Sequence, residues 1–310
     1  MRLPVFFRRA GPRPEVQTPG PKEVLRSVRK IEIRTRKLVD GLMQGHYKSV
    51  FMGRGIEFSE VREYVPGDDI RTIDWNVTAR MGEPFVKEFI EERDMTVMIL
   101  FDASASGEFG TQKLKKQQAI ELSASLMFSA LRNNDRVGLC IFTDRIEKFV
   151  PPRKGRRHIM MMLGGMVSFR PEGRGTDIAG PLNYVSKIIR KRSIIFLVSD
   201  FMAAGFEKQL KMLRGRHDLV AVSVRDPAEK ELPDAGYVYI EDSETGEQVM
   251  VNTSDPAFRK SYSEFMTGQA NAIGKRFSSA GVDMINAMTD EPFEAPLRKF
   301  FRERERRMVR

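Results

Sequence analysis

The second two-thirds of the chain contains five short, almost unbroken apolar runs, at residues 96–101, 137–142, 193–198, 219–224 and 282–288. Strands that are apolar on both faces are typical of a parallel sheet covered by helices on each side. Between the runs, apolar residues recur with helical spacing. This alternation predicts an α/β fold with a doubly wound, mostly parallel sheet. The predicted helices are 113–132, 156–166, 178–190, 206–214 and 257–279.

The first 93 residues follow a different pattern. Residues 1–21 are rich in Pro, Gly and Arg, which predicts a mobile basic tail. From Lys22, apolar residues at spacings of three, four or seven predict an amphipathic helix. Alternation over 73–79, a turn at 81–84 and a second run at 85–90 predict a β-hairpin, with Trp75 in the core.

These patterns divide the chain into four predicted parts. A mobile tail (1–21) is followed by an accessory helix and β region (22–93), the α/β domain (94–290) and a basic C-terminal helix (291–310). Within the α/β domain, residues 237–242 and 248–252 flank a polar turn and predict an inserted hairpin.

Composition excludes several classes of protein. The single cysteine, Cys140, rules out an internal disulfide framework and a cysteine-cluster metal site. No apolar run reaches the roughly 18 residues of a membrane-spanning helix, so we expect a cytoplasmic protein. The net charge of +10 lies at the two ends of the chain. Basic ends can contact a membrane surface, nucleic acid or an acidic partner, or form solvated helix faces.

Acidic and hydroxyl side chains follow the buried strands. Asp102 comes directly after the first apolar run, with Ser104 and Ser106 two and four residues on. Asp200 follows the third run, and Thr176 lies in a glycine-rich loop. The carboxyl ends of strands are where open α/β sheets bind ligands. This all-oxygen set therefore predicts a site for one Mg²⁺ or Mn²⁺ with an open coordination position.

These five residues resemble the metal-ion-dependent adhesion site of the von Willebrand factor A domain. A second match precedes them and resembles the bacterial "domain of unknown function 58" family: Gly53-Arg54-Gly55-Ile56-Glu57-Phe58, Arg62-Glu63-Tyr64-Val65-Pro66-Gly67-Asp68-Asp69, Arg71 and Ile73-Asp74-Trp75. The resemblance implies a von Willebrand A-like domain that acts with a MoxR-type AAA+ ATPase. It also implies a metal-dependent, protein-binding role in assembly, and no enzymatic activity.

Two features of these motifs have further interpretations. Gly107-Glu108-Phe109-Gly110 follows the second serine, where many such domains carry a larger apolar residue and run into the helix, and Glu108 either supplies a ligand or points to solvent. The charged residues between Arg62 and Asp74 are interpreted as a structural network of turns and ion pairs.

Two other functions stay open. A phosphoester hydrolase could use Asp102 as nucleophile, but Ser104 stands where such enzymes carry a second acid. A nucleic-acid or membrane-surface binder could use the basic ends, although no aromatic platform accompanies them. The chain has no phosphate-binding loop of the G-x-x-x-x-G-K-[ST] type, and its three histidines lack metal-site spacing.

Overall fold

A six-stranded sheet built largely from the apolar runs forms the centre of the structure. The computed structural model describes residues 5–8, 20–39, 47, 50–51, 56–91 and 95–309. Its strands are β1 (Val5–Arg8), β2 (Ile56–Glu63), β3 (Phe85–Glu91), β4 (Thr96–Asp102), β5 (Arg136–Phe142), β6 (Ile146–Arg153), β7 (Ile194–Ser199), β8 (Asp218–Arg225), β9 (Tyr237–Asp242), β10 (Gln248–Asn252) and β11 (Asp283–Met288). Its helices are α1 (Pro21–Leu38), α2 (Trp75–Met81), α3 (Lys115–Arg132), α4 (Arg156–Ser168), α5 (Ala179–Ile188), α6 (Glu207–Arg214), α7 (Pro227–Lys230), α8 (Pro256–Ser279) and α9 (Glu294–Val309).

The central sheet is doubly wound. Its strands lie in the order β11-β8-β7-β4-β5-β6. Neighbouring strands are parallel except β5 and β6. From β4 the chain moves outward through β5 and β6, then returns to β7 on the other side of β4. The winding therefore reverses between β4 and β7, and the predicted fold class and all five predicted strands are confirmed.

One strand of this sheet has no counterpart in the sequence prediction. Strand β6 is half exposed and contains Pro151 and Pro152, so it is not an unbroken apolar run. Proline cannot donate a ladder hydrogen bond, which confines it to edge strands. Consecutive prolines direct their nitrogens to opposite sides of the strand, so the free edge of β6 accommodates one of them and the irregularity in the β5–β6 pairing between Val137 and Leu139 accommodates the other.

Helices cover both faces of the sheet. Buried side chains of α1, α3, α4 and α9 form one core cluster with one face of the sheet. Those of α5, α6 and α8 form a second cluster with the other face. Helix α1 packs against α3 and α4. Among the described residues, no helix is both long and apolar enough to cross a membrane.

The basic C-terminal helix is anchored in the core. In α9, Leu297 and Phe301 are buried, and Phe301 packs edge-on against Phe51 with ring centroids 5.8 Å apart. The Arg304 guanidinium lies 4.8 Å from the centre of the Phe51 ring and pairs with Asp218 of β8. Some of the basic charge at this end is therefore neutralised within the fold.

The predicted first strand of the N-terminal hairpin, at 73–79, is wrong. Residues Trp75–Met81 form helix α2 because Asp74 caps its start, accepting N–H hydrogen bonds from Asn76 (2.9 Å) and Val77 (3.3 Å). The helix ends at Gly82, whose φ of +81° is the left-handed conformation that glycine tolerates. Trp75 is 66% exposed, so its predicted core position is also wrong. Strand β3 pairs instead with β2, in antiparallel fashion.

The charged residues between β2 and α2 have the structural role that the sequence suggested. Arg62 makes a two-pronged ion pair with Asp68, at 2.7 and 2.8 Å. Asp68 also accepts the N–H of Val65, which closes the turn. The hydrogen bond from Arg62 is the main cause that lowers the pKa of Asp68 to about 2.

The inserted hairpin is present as β9 and β10, as predicted, and it packs over α8. Strand β1 pairs with β9, which adds a third strand that the predicted mobile tail did not include. Residues 1–4 and 9–19 of that predicted tail lie outside the described residues. The C-terminal helix, predicted from 291, begins at Glu294.

Candidate metal centre

Asp102 and Asp200 face each other across the point where the winding reverses. Asp102 is the last residue of β4, and Asp200 directly follows β7. The N–H of Ala103 donates to the Phe142 carbonyl of β5 (2.8 Å), which directs the chain after Asp102 over the sheet edge. The sequence prediction that these acids meet at one edge holds because adjacent parallel strands end together.

Asp102 is held by hydrogen bonds on both carboxylate oxygens. Its Oδ1 accepts the N–H of Ser104 at 2.9 Å, and its Oδ2 accepts the hydroxyl of Ser199 at 2.6 Å. The N–H of Phe201 donates in turn to the Ser199 hydroxyl oxygen at 3.1 Å, which fixes that side chain. Ser199 is a residue of the candidate site that the sequence analysis missed, because a serine ending a buried strand carries no distinguishing signal.

The two predicted serines lie beside Asp102. Ser104 and Ser106 are 4% and 7% exposed, and their hydroxyl oxygens are 3.2 Å apart. With metal–oxygen bonds of 2.0–2.1 Å, two neighbouring ligands of an octahedral Mg²⁺ are about 3 Å apart. The separation of the hydroxyl oxygens therefore suits adjacent ligands of such an ion. Both serines, Asp102 and Asp200 line one small cavity of about 20 Å³, the size of a single water molecule or ion.

Thr176 does not line this cavity. Its loop lies next to the serine loop, because the N–H of Ala105 donates to the Arg174 carbonyl at 3.3 Å. On the other side, the N–H of Asp177 donates to the Thr143 carbonyl at 2.9 Å. The structure thus brings four of the five predicted residues together and places the loop of the fifth alongside them.

A buried lysine belongs to the site and was missed by the sequence analysis. Lys115, the first residue of α3, donates to Asp200 at 2.8 Å and to Glu229 at 2.5 Å. Its side chain is 4% exposed. In the sequence it stands among other lysines at 113 and 116, and nothing distinguishes it from a solvated helix residue. Only the fold brings it to its two carboxylates.

The pKa values of Asp102 and Asp200 are shifted in opposite directions. Burial, reinforced by the charge of Asp200, raises the pKa of Asp102 to about 6, although hydrogen bonds from Ser199 and Ser104 oppose the shift. Burial acts in the same direction on Asp200, but the ammonium of Lys115 outweighs it and lowers the pKa of that carboxyl. Burial raises the pKa of Glu229. The negative charge of Asp102 is thus the poorly compensated one.

The donor set suits a hard divalent cation and no softer metal. In the part of the chain that the structure describes, no three His, Cys, Asp or Glu side chains converge to hold a metal ion. Within the same residues, no lysine, arginine or histidine forms an ion pair with Asp102. Asp102, which forms no ion pair in this part of the chain, and two mutually hydrogen-bonded hydroxyls supply the kind of oxygen ligands that Mg²⁺ and Mn²⁺ prefer, in a cavity that Lys115 and Lys116 also line.

The remaining sequence candidates lie outside the site. Glu108 points to solvent and pairs with Lys116 at 2.9 Å, so it supplies no ligand here. Cys140 is buried in β5, and burial raises the pKa of its thiol to about 12. His158 contacts the carbonyl of Val137, away from the two aspartates. None of these groups supplies a nucleophile or base beside Asp102.

Comparison with known proteins identifies the family. The model of the family described as protein of unknown function DUF58 matches residues 60–272. The Mycobacterium tuberculosis protein Rv1480 is 30% identical over 284 residues, which is 90% of this chain and 89% of the relative.

Two solved structures are more distant. BatB from Bacteroides thetaiotaomicron aligns with a TM-score of 0.45 and 14% identity, over 68% of this chain and 99% of BatB. Proximal thread matrix protein 1 from the mussel byssus, with a zinc-occupied MIDAS motif, has a TM-score of 0.35 and 18% identity, over 42% and 38% of the two chains. The family model, by contrast, covers well over half of the chain, and the chain therefore belongs to the DUF58 family.

Proposed function

We propose that this protein is a metal-dependent protein-binding module, with Mg²⁺ or Mn²⁺ held by Asp102, Ser104 and Ser106. One observation carries the proposal: a partly buried carboxylate without a described cationic partner shares a one-ion cavity with two hydroxyls 3.2 Å apart. A cation there would neutralise Asp102, whose pKa is about 6 without it.

In this proposal the other two predicted ligands, Asp200 and Thr176, lie outside the group of residues that bind the ion directly. Lys115 already occupies Oδ2 of Asp200, and the N–H of Met202 donates to its Oδ1 at 3.2 Å. Asp200 therefore acts through a water molecule, and Thr176 approaches from its neighbouring loop. Neutral hydroxyl ligands leave much of the charge of a bound cation uncompensated, so an open position would attract a carboxylate of a partner protein.

The partner we favour is a MoxR-type AAA+ ATPase or the client that it remodels, because the resemblance of the motifs implies this association. An ATP-driven partner would place the contact in the cytoplasm. In a pull-down, EDTA and Asp102→Ala should each weaken the complex to a similar extent without unfolding the protein. A partner that stays bound after both treatments would contradict the proposal and favour the basic ends as the contact.

Metal binding is tested directly by Mn²⁺ titration, followed by calorimetry and by paramagnetic relaxation. Wild type should bind one Mn²⁺, and Asp102→Ala should lose at least about tenfold in affinity because a charged ligand is removed. Asp177→Ala is the matched control, since Asp177 is an exposed helix-capping carboxylate on the adjacent loop. Equal Mn²⁺ binding by wild type and Asp102→Ala would refute the site.

The affinity for Mn²⁺ should depend on pH. A proton and the cation compete for Asp102, whose pKa is about 6 in the metal-free protein. We expect affinity to be constant above about pH 7 and to fall about tenfold per pH unit well below pH 6. Calorimetry at pH 5, 6, 7 and 8 measures this, and an affinity that is flat down to pH 5 would show that Asp102 is not a ligand.

We also propose that the protein is not an enzyme. A phosphoester hydrolase using Asp102 would need a general acid nearby, and the residue two positions on is Ser104. The ammonium of Lys115 lines the same cavity, but its hydrogen bonds to two carboxylates hold it in the charged form. Sustained turnover of p-nitrophenyl phosphate by wild type, lost in Asp102→Asn, would establish the alternative.

A further inference from the structure

A second cavity lies between helix α8 and the edge of the sheet formed by β8 and β11. It is a groove of about 870 Å³, in the range of small-molecule sites. Its wall includes Ser223 and Arg225 of β8, Asn286 of β11, and Asn271, Gly274 and Lys275 of α8. None of these residues lines the candidate metal cavity.

Two polar atoms in this wall are buried without a hydrogen-bond partner. Ser223 is 1% exposed and its hydroxyl makes no hydrogen bond; the Nε of Arg225 is likewise buried and unpaired. A buried donor or acceptor without a partner costs free energy, so such groups in native proteins normally serve a ligand or water. Ser223 and Arg225 are two residues apart in β8, so their side chains point to the same face of the sheet, where the groove lies.

The charge of the groove has one sign. Among the described residues, the charged side chains that line it are Arg225 and Lys275, and no carboxylate does. Burial lowers the pKa of Arg225, and the more distant Glu229 and Asp200 only partly oppose this. The positive charge of the Arg225 guanidinium is therefore only partly neutralised by the protein. Guanidinium groups bind carboxylate and phosphate through paired hydrogen bonds.

The groove lies along the face of the sheet at β8 and the edge strand β11, away from the point between β4 and β7 where the winding reverses. Ser199, which supports Asp102, is paired in register with Ser223, and Ser223 with Asn286. These polar positions form one row across the carboxyl ends of β7, β8 and β11.

We propose that this groove binds a small, multiply charged oxyanion, a carboxylate or a phosphate, through Arg225, Lys275 and the hydroxyl of Ser223. The asparagines at 271 and 286 supply neutral hydrogen-bonding groups at its rim. This site is distinct from the proposed metal site, because none of its lining residues lines the Asp102 cavity.

Helix α8 offers a matched pair of variants. A Cβ atom added at Gly274, which lines the groove, or at Gly268, which does not, meets no other atom within 4 Å. Both residues are helical, so Gly274→Leu and Gly268→Leu should each fold at least as well as wild type. Ser223→Ala removes a hydroxyl that has no partner in the free protein, so it also preserves folding.

The test is calorimetry with pyrophosphate and with citrate, in EDTA so that no metal contributes. We expect one equivalent of at least one probe to bind wild type and Gly268→Leu equally. Gly274→Leu should lose binding, and Ser223→Ala should weaken it about fivefold. The probe that binds distinguishes a phosphate ligand from a carboxylate ligand. Absence of binding by both probes at millimolar concentration, or equal binding by Gly274→Leu and Gly268→Leu, would overturn the proposal.

Discussion

Replacing Lys115 by methionine is expected to destabilise the protein by about 3–5 kcal/mol at pH 7. The substitution leaves two buried carboxylates, Asp200 and Glu229, without the ammonium that bonds to both. Breaking a buried ion pair from one side costs more than the pair itself contributes, because the remaining charge stays buried. Urea unfolding in EDTA measures the loss.

Lys116→Met is the matched control for this variant. Lys116 is the next residue of the same helix, but its bonds are to the Phe169 carbonyl and to Glu108, which is 42% exposed, and ion pairs with so exposed a carboxylate contribute about 0–1 kcal/mol. Mn²⁺ should restore more stability to Lys115→Met than to wild type, because the freed charge of Asp200 then favours a nearby cation. Equal losses in the two lysine variants would show that Lys115 is not a buried counter-ion.

Replacing Asp102 by asparagine is expected to stabilise the metal-free protein at pH 8, by up to about 3 kcal/mol. The folded-state pKa of Asp102 is raised from 3.8 to about 6, so folding favours its neutral form. The contribution of the wild-type carboxyl is therefore fully favourable below about pH 4 and is lost as the pH rises through 6. Asparagine stays neutral throughout and keeps the oxygen that accepts the N–H of Ser104.

The stability difference between Asp102→Asn and wild type should follow pH in a defined way. It should be close to zero at pH 4, grow between pH 4 and 6, and stay constant above about pH 7. Denaturation at each pH in EDTA measures it, and adding Mn²⁺ should reverse its sign, since only wild type gains from binding. A variant less stable than wild type at pH 8 in EDTA would mean that the Asp102 charge is already compensated within the protein.

The series of apolar runs along the chain predicted the fold better than short local patterns did. The five apolar runs became five strands because a strand buried on both faces leaves little choice of residue. The alternation at 73–79 looks like a strand, yet the cap at Asp74 and the glycine at 82 stabilise a helix there. A seven-residue alternation is too short to outweigh the helix-start and helix-end residues that flank it. Trp75 therefore lies in an exposed helix and not in a buried strand.

The candidate site likewise has features that the sequence predicted and features that it did not. The amino-acid sequence by itself determined that Asp102 ends one buried strand and Asp200 follows another, and that Ser104 and Ser106 come just after Asp102, because these relations are local. Only the tertiary structure decided that Lys115 neutralises Asp200, since the two are 85 residues apart and meet through the packing of α3 on the sheet. Which cation neutralises a buried carboxylate depends on the side chains that the fold packs beside it in the low-dielectric interior. The spacing of residues along the chain does not reveal that neighbour.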